Sequence, residues 1–599
     1  MPVTLPRRIT VGALAAIAAL ALSLGPALGA AAVDDPASDG GSSATAVSTT
    51  PVSLAILVPL TVRPTATGLI DATTLAGYTG PLGVLTRQLD AVIGTPAVIG
   101  LDPMIVASIR VLGRTAPASA ISWLERLRTS GNEIFALAYA DADLASLARA
   151  DSLALSDPLG FDFAIDANNF GPANTASPTP SDSASATPTP EPDDSSTPPP
   201  LPTDTDQVLD WSYTLKNIAW PADDTVIASD LPDLSAAGYQ DVVLSSTNVS
   251  ATNSGFVDFD GIHGIVADAG ITSLVREVAY SSDPGGPQDA LDRLNSALGG
   301  MAAVSPGRTV VATLDRRWPL GALNLHALFA DLSAQAAASA VGLTAVLAGA
   351  QSDATVVDEP GDGARAGQVQ SAIQATEEEA RFASVATDPT AITAPRRLAL
   401  LALLAVSWLR GTDDWTTQVD AFLADSAALQ SSVQIVAGSD LVVGAGATNI
   451  PVTVSNALSV PVTVYVNVDS PSSVLQVRAQ NVALTVEPGS SNKAAIPVAA
   501  LTNGQVTTTV TLISATGVSI GNPDYVSVDL HPGWEGVGTS IVAALLIVIF
   551  GGGIVRNIVK RRAARRARGD ADPDAAAPAD APSGDAPSAD APVAEAPRD

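Results

Sequence analysis

The 599-residue chain has no cysteine, 61 acidic residues against 30 basic ones, and a net charge of −31. Disulfides and thiolate metal sites are therefore excluded, and any exported part is held by its core alone. Removing the +2 of residues 1–32 and the balanced charges of 556–599 leaves −33 on residues 33–555, a surface that repels nucleic acid and anionic polymers.

The chain opens with Arg7 and Arg8, an Ala/Leu-rich stretch from Ile9 to Leu24, and small residues from Ala27 to Ala32. This order predicts a secretory signal peptide over 1–32. Residues 33–50 are rich in Ser, Ala, Asp and Thr and read as a flexible leader.

From residue 51 to 432 short apolar runs alternate with amphipathic stretches. Ser53 to Leu60, Ala97 to Leu101 and Glu133 to Tyr139 read as buried strands. Thr225 to Ala228, Asp241 to Ser245, His263 to Ala267, Thr309 to Leu314 and Leu343 to Leu347 continue the series. Helices are expected between them. Pro81 to Ile93 carries Leu82, Leu85, Leu89 and Val92 at helical spacing, and Ala118 to Arg128 carries Ile121, Leu124 and Leu127. Seven or eight βα units predict an α/β fold, a (β/α) barrel that is possibly incomplete; a doubly wound sheet is the alternative. A Pro/Ser/Thr-rich insert interrupts it over 171–206 and reads as disordered.

Past Val433 the period changes to two, with Ile450, Val452 and Val454, then Val462, Val464, Val466 and Val468. Half a dozen short strands over 433–532 predict an all-β, immunoglobulin-like sandwich. Val537 to Val555 then holds no charged residue over 19 positions. At about 1.5 Å per residue it spans a ~30 Å hydrocarbon core. Trp534 precedes it, and Arg556, Lys560, Arg561, Arg562, Arg565, Arg566 and Arg568 follow. This asymmetry predicts one type I transmembrane helix with the C-terminus in the cytoplasm. Residues 556–599 read as a basic stop-transfer segment and a disordered Asp-Ala-Pro tail.

Candidate chemistry is sought where parallel strands end. Asp102, Asp141, Asp230 and Asp315 end or follow strand candidates, with Tyr139, Trp220 and Arg316 nearby. Asp102, Asp141 and Asp315 are expected to converge on one cavity, with Tyr139, Trp220 and Arg316 as binding residues. Paired carboxylates about 5–10 Å apart serve glycoside hydrolysis. The competing role is capping: Asp102-Pro103 has the form of a helix N-cap with proline at the first turn, and Asp143 suits the same role. The three histidines, His263, His326 and His531, match no zinc spacing, and no GxSxG, P-loop or kinase motif occurs. No metal or cofactor is expected.

Several features together carry a resemblance: LeuValProLeu with Arg63-Pro64, LeuAspPro at 101–103, AlaTyrAlaAsp at 138–141, the Val-rich sandwich, the span and its arginine-rich stop. The chain resembles a family of uncharacterised actinobacterial single-pass membrane proteins encoded near the lipid II flippase. That resemblance implies a barrel similar to those of glycoside hydrolases and polysaccharide deacetylases. The expectation is a non-enzymatic, membrane-anchored extracytoplasmic envelope protein that binds a cell-wall glycan or a protein partner. The alternative is a carbohydrate-active hydrolase using the carboxylates at the barrel mouth.

Overall fold

The computed structural model describes residues 50–171, 199–250, 254–281, 286–316, 324–358, 363–410, 412–438, 440–443, 447–531 and 534–566. All belong to one unit, Thr49–Asp599. The signal peptide, most of the leader, residues 172–198 of the insert and the tail beyond 566 lie outside the described residues.

The first part is a mixed α/β structure around a parallel half-barrel. Its strands are β1 (Val52–Leu60), β2 (Val98–Leu101), β3 (Ile134–Ala136), β4 (Ile218–Ala219), β5 (Asp241–Ser245), β6 (Phe256–Asp258), β7 (His263–Ala267), β8 (Thr309–Thr313), β9 (Ala338–Ala340) and β10 (Ser352–Asp353). Parallel pairing runs β4-β5-β7-β8-β1-β2-β3. β6 forms an antiparallel pair with β7, and β9 runs parallel to β1. Beyond the last ladder, the Thr214 and Leu215 amides donate to Ile134 O at 2.9 and 3.2 Å, so the segment entering β4 meets the free edge of β3.

β1 is buried along both faces, as a central parallel strand must be when helices cover one side. Leu54, Ile56, Val58 and Leu60 join the large core beneath the helices. Ala55 and Leu57 point the other way, into an inner cluster with Val98, Phe135, Ile218, Trp220, Ile265 and Val311. Gly100 is the small residue of β2 on this inner side: a Cβ there lies 3.0 Å from Leu137 and 3.1 Å from the Trp220 ring. The indole occupies that space instead.

The structure corrects several local expectations. Thr225–Ala228 is irregular, and the strand lies earlier, at β4. Val226 is apolar because it is buried in a loop, not because it pairs. Leu343–Leu347 is a short helix, with the strand before it at β9; an apolar run of five does not distinguish the two. On the helix Ala118–Arg128 the buried residues are Ala120, Trp123 and Leu127, while Ile121 is 51% exposed. Leu82 lies ahead of its helix, Val84–Val92, and is exposed. Residues 199–206, read as part of the disordered insert, are ordered. Gly171 N–H donates to Pro199 O at 2.8 Å, and Asp204 caps the helix Thr205–Leu209.

Among the described residues the second part has nine strands: β11 (Val433–Val436), β12 (Leu441–Val443), β13 (Ala447–Asn456), β14 (Val462–Asp469), β15 (Leu475–Val477), β16 (Val482–Val486), β17 (Ser490–Ala500), β18 (Gly504–Ile513) and β19 (Ser519–Leu530). They form two sheets, β11-β13-β17-β15 and β12-β19-β18-β14-β16, antiparallel except for the edge pair β12–β19. The period-two valines face one shared core. Phe382, Val385 and Ile392 of the α/β part enter the same core, and Ala386 bridges to Val462. The helix Trp534–Arg566 follows. Its stretch Gly538–Arg562, 25 residues or about 37 Å long, is long and apolar enough to cross a membrane and is unburied by the rest of the chain. This fits a single-pass membrane protein.

Candidate functional site

The C-terminal ends of β1, β2, β3, β4 and β8 bring the predicted residues to one end of the half-barrel. Asp102 follows β2 and serves the role its sequence favoured. It is the N-cap of the helix Pro103–Arg110 and accepts the Met104 amide at 2.9 Å. The residue is 1% exposed. Burial pushes its carboxyl well above the ordinary carboxylate range, against the pull of the Met104 amide, and the Asp141 charge pushes it further.

After β3 the chain does not continue as strand. Tyr139–Asp141 forms a tight helical turn, so Tyr139 and Asp141 do not share a strand face. Ala140 and Asp141 have φ of 56° and 52°. Two successive non-glycine residues in the left-handed region store strain that the surroundings must hold in place. The surroundings do so through specific bonds. Asp143 N–H donates to Leu404 O at 2.8 Å, Ala142 bridges to Ala405, and Tyr139 OH donates to Gly68 O at 2.8 Å.

Asp141 meets Arg316, whose Nε lies 3.0 Å from both carboxylate oxygens. The pair is almost wholly buried, at 9% and 6% side-chain exposure. The guanidinium also donates to Trp220 O and stacks over the indole, 4.1 Å from its centroid. Thr61 Oγ1 donates to Arg316 O at 2.6 Å. Burial raises the Asp141 carboxyl more than Arg316 lowers it, leaving it at about 6.

Asp315, one residue earlier, faces elsewhere. It lies 3.3 Å from Arg276 of the helix Ala269–Tyr280. Arg276 is held by Thr313 O at 2.9 Å and lies 3.3 Å from Asp223. Asp223, Arg276, Asp315, Arg316 and Ser407 line an open cavity of about 240 Å³. Asp102, Tyr139, Asp141 and Trp220 do not line it. The structure thus brings Asp141, Trp220 and Arg316 into direct contact and sets Asp102 in the electrostatic reach of Asp141, while Asp315 opens onto the cavity. Asp230 belongs to neither group: it starts the helix Asp230–Ala236 and accepts the Ile227 amide at 3.0 Å.

Asp223, Arg276 and Ser407 were missed by the sequence reading. Arg276 lies mid-helix and Ser407 sits after a core helix, positions where nothing in the local pattern marks a site. Among the described residues no group of three or more His, Asp or Glu side chains is arranged to hold a metal ion.

No curated protein matches the chain in sequence. Among solved structures, Escherichia coli α-2-macroglobulin aligns at 17% identity and TM-score 0.15, covering 17% of this chain and 7% of that one. The Caenorhabditis elegans MSP family member WR4 aligns at 12% identity and TM-score 0.13, covering 17% of this chain and 98% of that one. A PapD-like domain of human CEP192 aligns at 9% identity and TM-score 0.14, covering 17% and 87%. The chain spans less than a tenth of the α-2-macroglobulin it matches. Residues 37–580, most of the chain, match DUF6049, a family of unknown function, and the chain belongs to that family.

Proposed function

We propose that this protein is a membrane-anchored envelope protein whose α/β part binds a wall glycan without cleaving it. One observation carries the reading: the buried carboxylates at the barrel mouth are already engaged. Asp102 caps a helix, and Asp141 is held by both oxygens on Arg316. A retaining or inverting hydrolase needs two carboxyls that face the bond across open space. The two carboxylates of the open cavity, Asp223 and Asp315, each lie 3.3 Å from Arg276, a mixture of donors and acceptors suited to sugar hydroxyls. In this reading the sandwich is immunoglobulin-like and holds the α/β part off the outer membrane surface, and the arginine-rich side of the span is cytoplasmic.

The strained Ala140–Asp141 turn and the Asp141 carboxyl at about 6 favour a second reading, a glycoside hydrolase in which Asp141 is the acid. Calorimetric titration of the full chain in detergent with the dimer of N-acetylglucosamine tests the first. Saturable heat that Arg276→Ala weakens is expected; no binding overturns it.

A further inference from the structure

We infer that the site has a second lobe beside Asp143, so that the two lobes together take two consecutive sugar units. The inference rests on the glycan reading above. A second cavity of about 210 Å³ adjoins the first, and Thr225 and Leu409 line both. Each alone falls short of the ~300–1,000 Å³ usual for a small-molecule site; the two volumes together reach it. The wall between them is the turn around residue 224. Asp223 lines one lobe and Asp224, at φ 62°, the other.

The second lobe is lined by a carboxylate with one unpartnered oxygen. Asp143 lines it and is 2% exposed. Its expected capping bond is absent; the Ser146 hydroxyl donates to Oδ2 instead. Oδ1 has no hydrogen-bond partner among the described residues. A buried carboxylate oxygen left unpaired is costly, and a ligand hydroxyl satisfies it. Gln370, exposed on the helix Gly363–Phe382, also lines this lobe and offers both a donor and an acceptor. The ligand class is a neutral, hydroxyl-rich glycan of at least two units.

The test titrates the full chain in detergent with N-acetylglucosamine and with its β-1,4 dimer. The dimer should bind at least about tenfold tighter, the value of one hydrogen bond to a charged group. Asp143→Ala should remove that advantage and leave the monomer affinity unchanged. Gln370→Ala, on an exposed position that folding does not depend on, should reduce it in the same sense by about threefold, a part of one hydrogen bond. If the dimer binds no better than the monomer, or if both variants weaken both sugars equally, the second lobe is not a subsite and the glycan reading stands. If neither sugar binds the parent chain, the glycan reading falls and this inference with it.

Discussion

Asp315 and Arg316 are neighbours in the chain and both line the cavity, yet their side chains make different ion pairs of different burial. Arg316 turns inward and closes a buried knot with Asp141 and Trp220. Asp315 turns outward to a cavity it shares with Arg276 and Asp223. In the knot every charge is desolvated, so its partner is obligatory: an orphaned buried charge costs far more than the pair contributes. Around the cavity burial is less complete, at 21% and 15% side-chain exposure for Arg276 and Asp315 and 40% for Asp223, so Asp223 is the member that costs little to change. The comparison separates charge that holds the half-barrel mouth together from charge that can bind.

Breaking the knot should give the largest effect. Arg316→Met leaves the Asp141 carboxylate buried and unpaired and should destabilise the chain by about 3–5 kcal/mol at neutral pH, read from denaturant unfolding. A loss under about 1 kcal/mol would place the pair among ordinary surface ion pairs.

Titration sharpens the same point. The Asp141 carboxyl is raised from an ordinary 3.8 to about 6, so its folded form binds protons more tightly than its unfolded form. Its stabilising contribution is fully present below pH 4 and is lost as pH rises through 6, a loss of roughly 3 kcal/mol. The difference in unfolding free energy between the parent and Asp141→Asn should therefore shift against the parent between pH 4 and 6. A flat difference would contradict the burial argument.

The strained turn gives a smaller effect of opposite sign. Ala140→Gly should stabilise the chain by about 1 kcal/mol, because glycine adopts φ near 56° without the Cβ penalty. Destabilisation would mean that the Cβ of this buried residue packs more usefully than its backbone is strained.

The smallest effect belongs to the cavity. Asp223→Ala, at a side chain 40% exposed, should change stability by less than about 0.5 kcal/mol while weakening the sugar dimer measurably. A large loss of stability there would dissolve the distinction between the two regions.

How much of this was legible depended on whether the signal was local. The β-sandwich was, because Val462, Val464, Val466 and Val468 alternate in the chain as they do in space. The ends of the parallel strands were also legible: Asp102 and Asp315 sit where apolar runs stop, and parallel strands deliver those ends to one side. Direction was not. The sequence places Asp315 and Arg316 together and is silent on which turns inward, since that depends on Asp141, 175 residues away. Asp143 looked like a cap because capping is what an aspartate before a helix usually does. Its carboxylate accepts the Ser146 hydroxyl instead, a choice that the pattern before a helix does not distinguish from a cap. Thr225–Ala228 and Leu343–Leu347 were misread because short apolar runs report burial and not backbone conformation.

The central claim, that the barrel-mouth carboxylates are structural and the cavity binds without cleaving, is tested most directly by one incubation. The full chain in detergent is mixed with a wall-glycan tetrasaccharide, and bound sugar and new reducing ends are measured on the same sample. Saturable binding, with the sugar recovered intact, is expected. New reducing ends, formed at a rate that Asp141→Asn abolishes while binding persists, would contradict it and make Asp141 a catalytic acid.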